Sequence, residues 1–269
     1  MRLEFPTLQY SNAPFRASEH RMFLSMLGSL IALAWLTLWI WDRSPYGRYL
    51  DHGQLGDIGV DGDSGSVVLA ITLYLVGWTL MTVAMMLPTM VPLLEIFRRL
   101  VSHRPERVRL LASVIAGYLA VWMAFGIFAH AADWLLHQVV ERVAWLDANP
   151  WVIGAATLLL AGVFQFSALK YRCLDKCRAP LSFVMEHWRG RHDFRNALRL
   201  GINHGKFCVG CCWALMLLMF GVGVGNIGWM LALGALMAIE KNLPWGRKVS
   251  APLGMGLILS AGLILINQM

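Results

Sequence analysis

Apolar residues gather along this chain into seven long runs, at about 22–41, 67–94, 110–137, 151–169, 205–224, 226–243 and 250–267. Each is close to the roughly 20 residues that cross a hydrocarbon layer ~30 Å thick. Within the runs, hydrophobic side chains occupy every face of a helix instead of alternate positions. The pattern therefore predicts transmembrane helices and not a β-barrel. The expected fold class is all-α, a polytopic helical membrane protein of about seven transmembrane helices. Residues 1–21 read as a cytoplasmic N-terminal segment and 22–269 as a single helical transmembrane domain. The first run follows a polar stretch and ends in "LWIWDR" with no small-residue cleavage site, so it reads as a span and not a secretory signal. Between the fifth and sixth runs, "GVGVGN" leaves room only for a tight hairpin. No internal repeat or second soluble domain interrupts the pattern.

Composition agrees with this reading. Of 269 residues, 58% are hydrophobic and 14% are charged, against about 25% charged in a soluble domain. The mean hydropathy is +0.57. Charge then sets orientation. The N-terminus, 95–109, 170–206 and 240–248 hold 3, 5, 9 and 3 Lys/Arg, whereas the alternate connections hold Arg43, Arg48 and Arg142 only. Basic residues stay on the cytoplasmic side during insertion, which predicts the N-terminus inside and the C-terminus outside. The net charge of +7 is accounted for by topology and by contact with anionic head groups of the lipid bilayer. It gives no argument for nucleic acid, because the basic segments lack interleaved aromatics. No lysine lies deep in the seventh run, which sets aside a retinal-binding protein.

All five cysteines fall on the cytoplasmic side: Cys173, Cys177, Cys208, Cys211 and Cys212. That compartment is reducing, so a structural disulfide is not expected, and grouped thiols there point to metal or redox chemistry. In "HGKFCVGCCWALM", His204, Cys208, Cys211 and Cys212 have the i, i+4, i+7, i+8 spacing of one helical face. Met216 and Met219 extend the same sector deeper. Thiolate and thioether select soft Cu(I), while His with Cys also suits zinc. The competing reading is packing, since cysteine behaves as a small hydrophobe and Gly201, Gly205 and Gly210 fit a helix contact. One straight helix cannot surround an ion with all four groups, because neighbours three or four apart have Cβ atoms about 5–6 Å apart. Further ligands must come from elsewhere, and "CLDKC" offers Cys173 and Cys177.

Three other stretches carry candidate chemistry. "MTVAMMLPTMVP" places Met85 and Met86 beside Pro88, which is expected to kink the second span and free the carbonyl near Ala84; gap filling is the alternative role for these methionines. In "IEKNLPWGRK", Glu240 is expected to form an ion pair with Lys241, Lys206 or Arg247, or to serve as a proton or metal ligand. His130, Asp133 and His137 share one face near the outer end of the third span, as a second metal face or as solvated interface. The aspartate-rich "DHGQLGDIGVDGDSG" lacks the register of an EF-hand.

Taken together, "MMLPTMVP", "FQFSALKYRCLDKCRAP", "GINHGKFCVGCCWALM" and "IEKNLPWGRK" resemble the bacterial family described as predicted metal-binding integral membrane proteins, over roughly residues 70–265. The resemblance implies a multi-pass protein of the bacterial cytoplasmic (inner) membrane with a Cys/His-rich metal site. By matching position, its conspicuous residues are Met85, Met86, Pro88, Cys173, Cys177, His204, Cys208, Cys211, Cys212, Glu240, Lys241 and Pro244. The expected function is binding of a soft transition metal, Cu(I) ahead of Zn, for transfer across the bilayer or to a metal-delivery or membrane partner protein. The expected ligands are the five cysteines and His204, with Met85, Met86, Met216 and Glu240 in support. The sequence carries no nucleotide-binding loop. Two other classes stay open: a membrane thiol oxidoreductase, and a structural subunit of a membrane complex.

Overall fold

The apolar runs become helices. A computed structural model describes residues 17–44, 64–188, 193–222 and 227–268, and no strand occurs among them. The described helices are α1 (Ala17–Asp42), α2 (Ser64–Leu100), α3 (Arg107–Arg142), α4 (Ala144–Asp147), α5 (Trp151–Phe164), α6 (Ala168–Arg178), α7 (Pro180–His187), α8 (Asp193–Val222), α9 (Ile227–Asn242) and α10 (Ser250–Gln268). A 3-10 turn, Gly246–Val249, joins the last two. The expected "GVGVGN" hairpin, the aspartate-rich loop and most of the N-terminal segment lie outside the described residues.

The expectation of seven spans needs correction. Among the described residues, five helices are long and apolar enough to cross a membrane, Arg21–Asp42, Ile71–Leu100, Arg107–Arg142, Asp193–Met219 and Gly246–Gln268, and the number rises to six if one bent pair counts as a single span. The run at 151–169 is instead the first half of a pair, Trp151–Phe164 and Ala168–Arg178, bent by 63°. Ser167 makes the break. Its backbone is extended (φ −72°, ψ 141°) and its hydroxyl accepts from the Lys170 amide at 3.1 Å, capping α6. In the run at 226–243 the described residues form the 16-residue α9, which stops just before Pro244.

Pro88 does not interrupt α2, which continues through both Pro88 and Pro92. The carbonyl that Pro88 cannot bond, that of Ala84, accepts from the Trp35 indole N–H of α1 at 3.2 Å. A neighbouring helix thus supplies the missing donor. On the other side of α2, Tyr74 donates to the Gly126 carbonyl at 2.9 Å and Trp78 to the Trp122 carbonyl at 2.8 Å, tying α2 to α3.

The closest crossing is between α3 and α8. A Cβ on Gly117 would lie 2.4 Å from the Leu198 carbonyl oxygen, and one on Gly201 would lie 2.0 Å from that of Val114. Only glycine permits this backbone-to-backbone approach. Large apolar side chains meanwhile point outward along α1 and α10, among them Leu33, Ile40, Leu259 and Ile266. Inside are Thr82, Thr89, Gln165, Lys170, His204, Glu240, Lys241 and Ser250. The outer faces of α1 and α10 are thus apolar, while a set of polar groups lies in the interior.

Candidate metal centre

Helix α8 stays helical through the cysteine cluster. Cys208, Cys211 and Cys212 are at most 1% exposed. Cys212 donates from sulfur to the Cys208 carbonyl at 2.8 Å, and Cys211 to the same oxygen at 3.1 Å. The first turns around His204 do not open, so further sulfurs arrive from other helices.

Two helices deliver them. The bend after α5 lays α6 along α8, where Cys177 and Cys211 are near enough to interact electrostatically. Cys173, one turn earlier on α6, seats its sulfur on Gly210; a Cβ there would be 2.6 Å from it. From α2, the Met86 thioether lies 3.9 Å from the Cys212 sulfur. Cys177, Cys208, Cys211, Cys212 and Met86 therefore meet where α2, α6 and α8 converge. Cys173 stands just beside them.

A cation and two hydroxyls complete the lining. Lys241 of α9 reaches the sulfurs of Cys208 at 2.9 Å and Cys212 at 3.5 Å, and the Thr89 hydroxyl at 3.4 Å. The Tyr118 hydroxyl of α3 contacts the Cys208 sulfur at 3.0 Å and donates to the Met86 carbonyl at 3.2 Å. Neither Tyr118 nor Thr89 stands out in the sequence, and Lys241 does so as one of three candidate ion-pair partners for Glu240 and as a conspicuous residue of the resemblance, not as a neighbour of the cysteines.

Glu240 turns elsewhere. Its carboxylate accepts from Lys170 at 2.8 and 2.9 Å and from the Ser250 hydroxyl at 2.6 Å. Lys170 also donates to the Gln165 side chain, and Arg178 to the carbonyls of Glu240 and Pro244. The partner is thus Lys170, and not Lys241, Lys206 or Arg247. Arg247 reaches Asp175 at 3.1 Å instead. Lys170 is fully buried, so a lysine that reads as a cytoplasmic loop charge fastens the α5–α6 bend to the end of α9.

The remaining candidates are scattered. His204 sits between Tyr118 and Phe183, with ring centroids 5.9 and 5.4 Å away, and its buried Nδ1 has no hydrogen-bond partner. Met85 packs toward Gly234 of α9, while Met216 and Met219 are buried one and two turns beyond Cys212. At the far end of α3, His130 stacks on Tyr74 at 4.4 Å, and His137 Nδ1 lies 3.8 Å from the Asp133 carboxylate. Among the described residues, no three His, Cys, Asp or Glu groups are arranged to hold one ion. What the centre offers is paired sulfur. A closed tetrahedral zinc site needs four ligands, whereas two or three soft sulfurs suffice for a cuprous ion.

Burial sets an order of access. Cys173 and Cys177 are each 8% exposed, the other three thiols at most 1%. With the folded protein in detergent, a small maleimide should label Cys173 and Cys177 first, and all five thiols only after denaturation. Equal labelling rates across the five, followed by mass spectrometry of the peptides, would contradict this order.

A family model described as "PpoB2: Copper chaperone" matches residues 75–264, a stretch that contains every residue of the sulfur centre. No curated protein and no solved structure matches the chain.

Proposed function

Because the chain belongs to the PpoB2 copper chaperone family, we propose that it is a polytopic membrane protein that holds copper as Cu(I) on buried sulfur and releases it to a copper-accepting partner. The observation that carries this reading is the buried pair Cys208 and Cys212 on one face of α8, with the Met86 thioether of α2 at 3.9 Å from Cys212 and the buried thiols Cys211 and Cys177 close by. Such donors prefer a soft monovalent ion to magnesium, calcium or a carboxylate-bound metal. The membrane setting is supported by the five long apolar helices and by the outward Leu and Ile of α1 and α10, which a soluble bundle would bury.

Copper arrives first at the least buried thiols, Cys173 and Cys177, and moves to Cys211, Cys208 and Cys212 by exchange of one sulfur for the next. Each thiol that binds gives up its proton to solvent, and copper keeps its oxidation state throughout. Successive sulfurs of similar affinity let the ion move without passing through an unliganded state. Met86, then Met216 and Met219, offer neutral thioether donors beyond the thiols. Glu240 is committed to Lys170 and supports the fold in place of binding the ion.

Elemental analysis of protein purified anaerobically with a thiol reductant tests the proposal. Wild-type protein should carry roughly equimolar copper, with copper–sulfur scattering in its X-ray absorption spectrum. The C208S/C212S variant should lose bound copper by at least about tenfold while far-UV circular dichroism stays unchanged. Copper retained at the wild-type level would reduce these cysteines to packing residues. Thiols lost in pairs without any copper would instead favour a thiol oxidoreductase.

A further inference from the structure

We propose that Lys241 is a fixed counter-charge that tunes the sulfur centre for a singly charged metal ion and against divalent ones. This inference rests on the copper-binding reading above. Lys241 is 6% exposed, and among the described residues its ammonium hydrogen-bonds Cys208, Cys212 and Thr89. The neighbouring carboxylate, Glu240, is fully engaged by Lys170, Ser250 and the α5–α6 bend. No carboxylate among the described residues forms an ion pair with Lys241. Its negative counterpart has to come from the sulfurs.

Charge counting then separates the metals. Cys208 and Cys212 as thiolates carry two negative charges, and Lys241 contributes one positive. A cuprous ion bound between the two sulfurs brings the group to zero. A zinc ion on the same two sulfurs leaves one net positive charge in a water-poor interior, which is strongly unfavourable. Loading with copper is balanced: two thiols release two protons to solvent, one cuprous ion enters, and Lys241 keeps its proton. The contact at 2.9 Å is short enough for the ammonium to remain beside the metal-bound sulfur as a hydrogen-bond donor.

Three variants separate charge from hydrogen bonding. K241R keeps the charge, K241Q keeps donors without it, and T89D leaves Lys241 in place but adds a negative charge at the position whose hydroxyl lies 3.4 Å from its ammonium. Each purified protein is equilibrated with Cu(I) and Zn(II) together under reductant, and the retained ratio is read by elemental analysis. Wild type and K241R should keep the same high copper-to-zinc ratio. K241Q and T89D should both shift that ratio toward zinc by about tenfold or more, although one removes a cation and the other adds an anion. If K241Q fails to accumulate, T89D alone decides. A wild-type ratio in T89D or K241Q, or a K241R ratio that falls with that of K241Q, overturns the role of charge while the copper reading stands. Absence of copper from wild type overturns the copper reading itself.

Discussion

Replacing Lys170 by methionine is expected to destabilise the bundle by about 3–5 kcal/mol, because it leaves the Glu240 carboxylate buried without its cation. The pair is deeply enclosed, with side chains 0% and 3% exposed; it joins α6 directly to the end of α9, while Gln165 accepts from Lys170 and Ser250 donates to Glu240. Removing both charges in K170M/E240M should cost much less than K170M alone, since no unpaired ion remains. Unfolding in a denaturing-detergent titration, run on the wild type, both single variants and the double variant, reads the coupling directly. Additive losses across the four proteins would show that the two groups do not depend on each other.

An alanine at Gly201 is expected to be nearly as damaging. Its methyl group would fall 2.0 Å from the Val114 carbonyl oxygen and 3.0 Å from the Tyr118 amide nitrogen. Backbone cannot step aside as a flexible side chain can, so α3 and α8 must separate. The cost is at the upper end of the 1–3 kcal/mol typical of overpacking, or beyond it. Because Tyr118 on α3 contacts Cys208 on α8, the same variant should also reduce copper retention. Gly154, with nothing within 4 Å of an added Cβ, supplies the control, and G154A should be no less stable than wild type. Stability of G201A equal to that of G154A would contradict the close crossing.

Most of the helical architecture is legible in the sequence because hydropathy is a local property. A run such as 110–137 needs no partner to declare itself, and it becomes α3. The break at Ser167 is not legible in the same way. Its surroundings, "VFQFSAL", contain no charge, so the apolar signal runs straight across a 63° bend. The buried lysines fail for the opposite reason. Lys170 and Lys241 are counted as cytoplasmic charges by any rule that equates charge with exposure, yet both are enclosed. Their placement depends on partners 70 and 33 positions away, Glu240 and Cys208, and no window along the chain sees them. The geometry of one helix does imply that α8 needs further sulfurs. It takes the fold to bring α6 and its buried Cys177 alongside α8, and to leave Cys173 against Gly210.

Five separate helices furnish the sulfur centre, and the order in which they are made has its own consequence. Met86, Tyr118 and Cys177 are synthesised before the thiols of α8, but Lys241 comes after them. At ~5–20 residues per second, the stretch from Cys212 to Lys241 occupies the ribosome for about one and a half to six seconds. Throughout that interval the nascent chain holds its thiols without the ammonium that contacts two of them in the finished bundle. The centre therefore matures near the end of translation, and a chain truncated before α9 would release a fragment with its α8 cysteines made and their cationic partner missing.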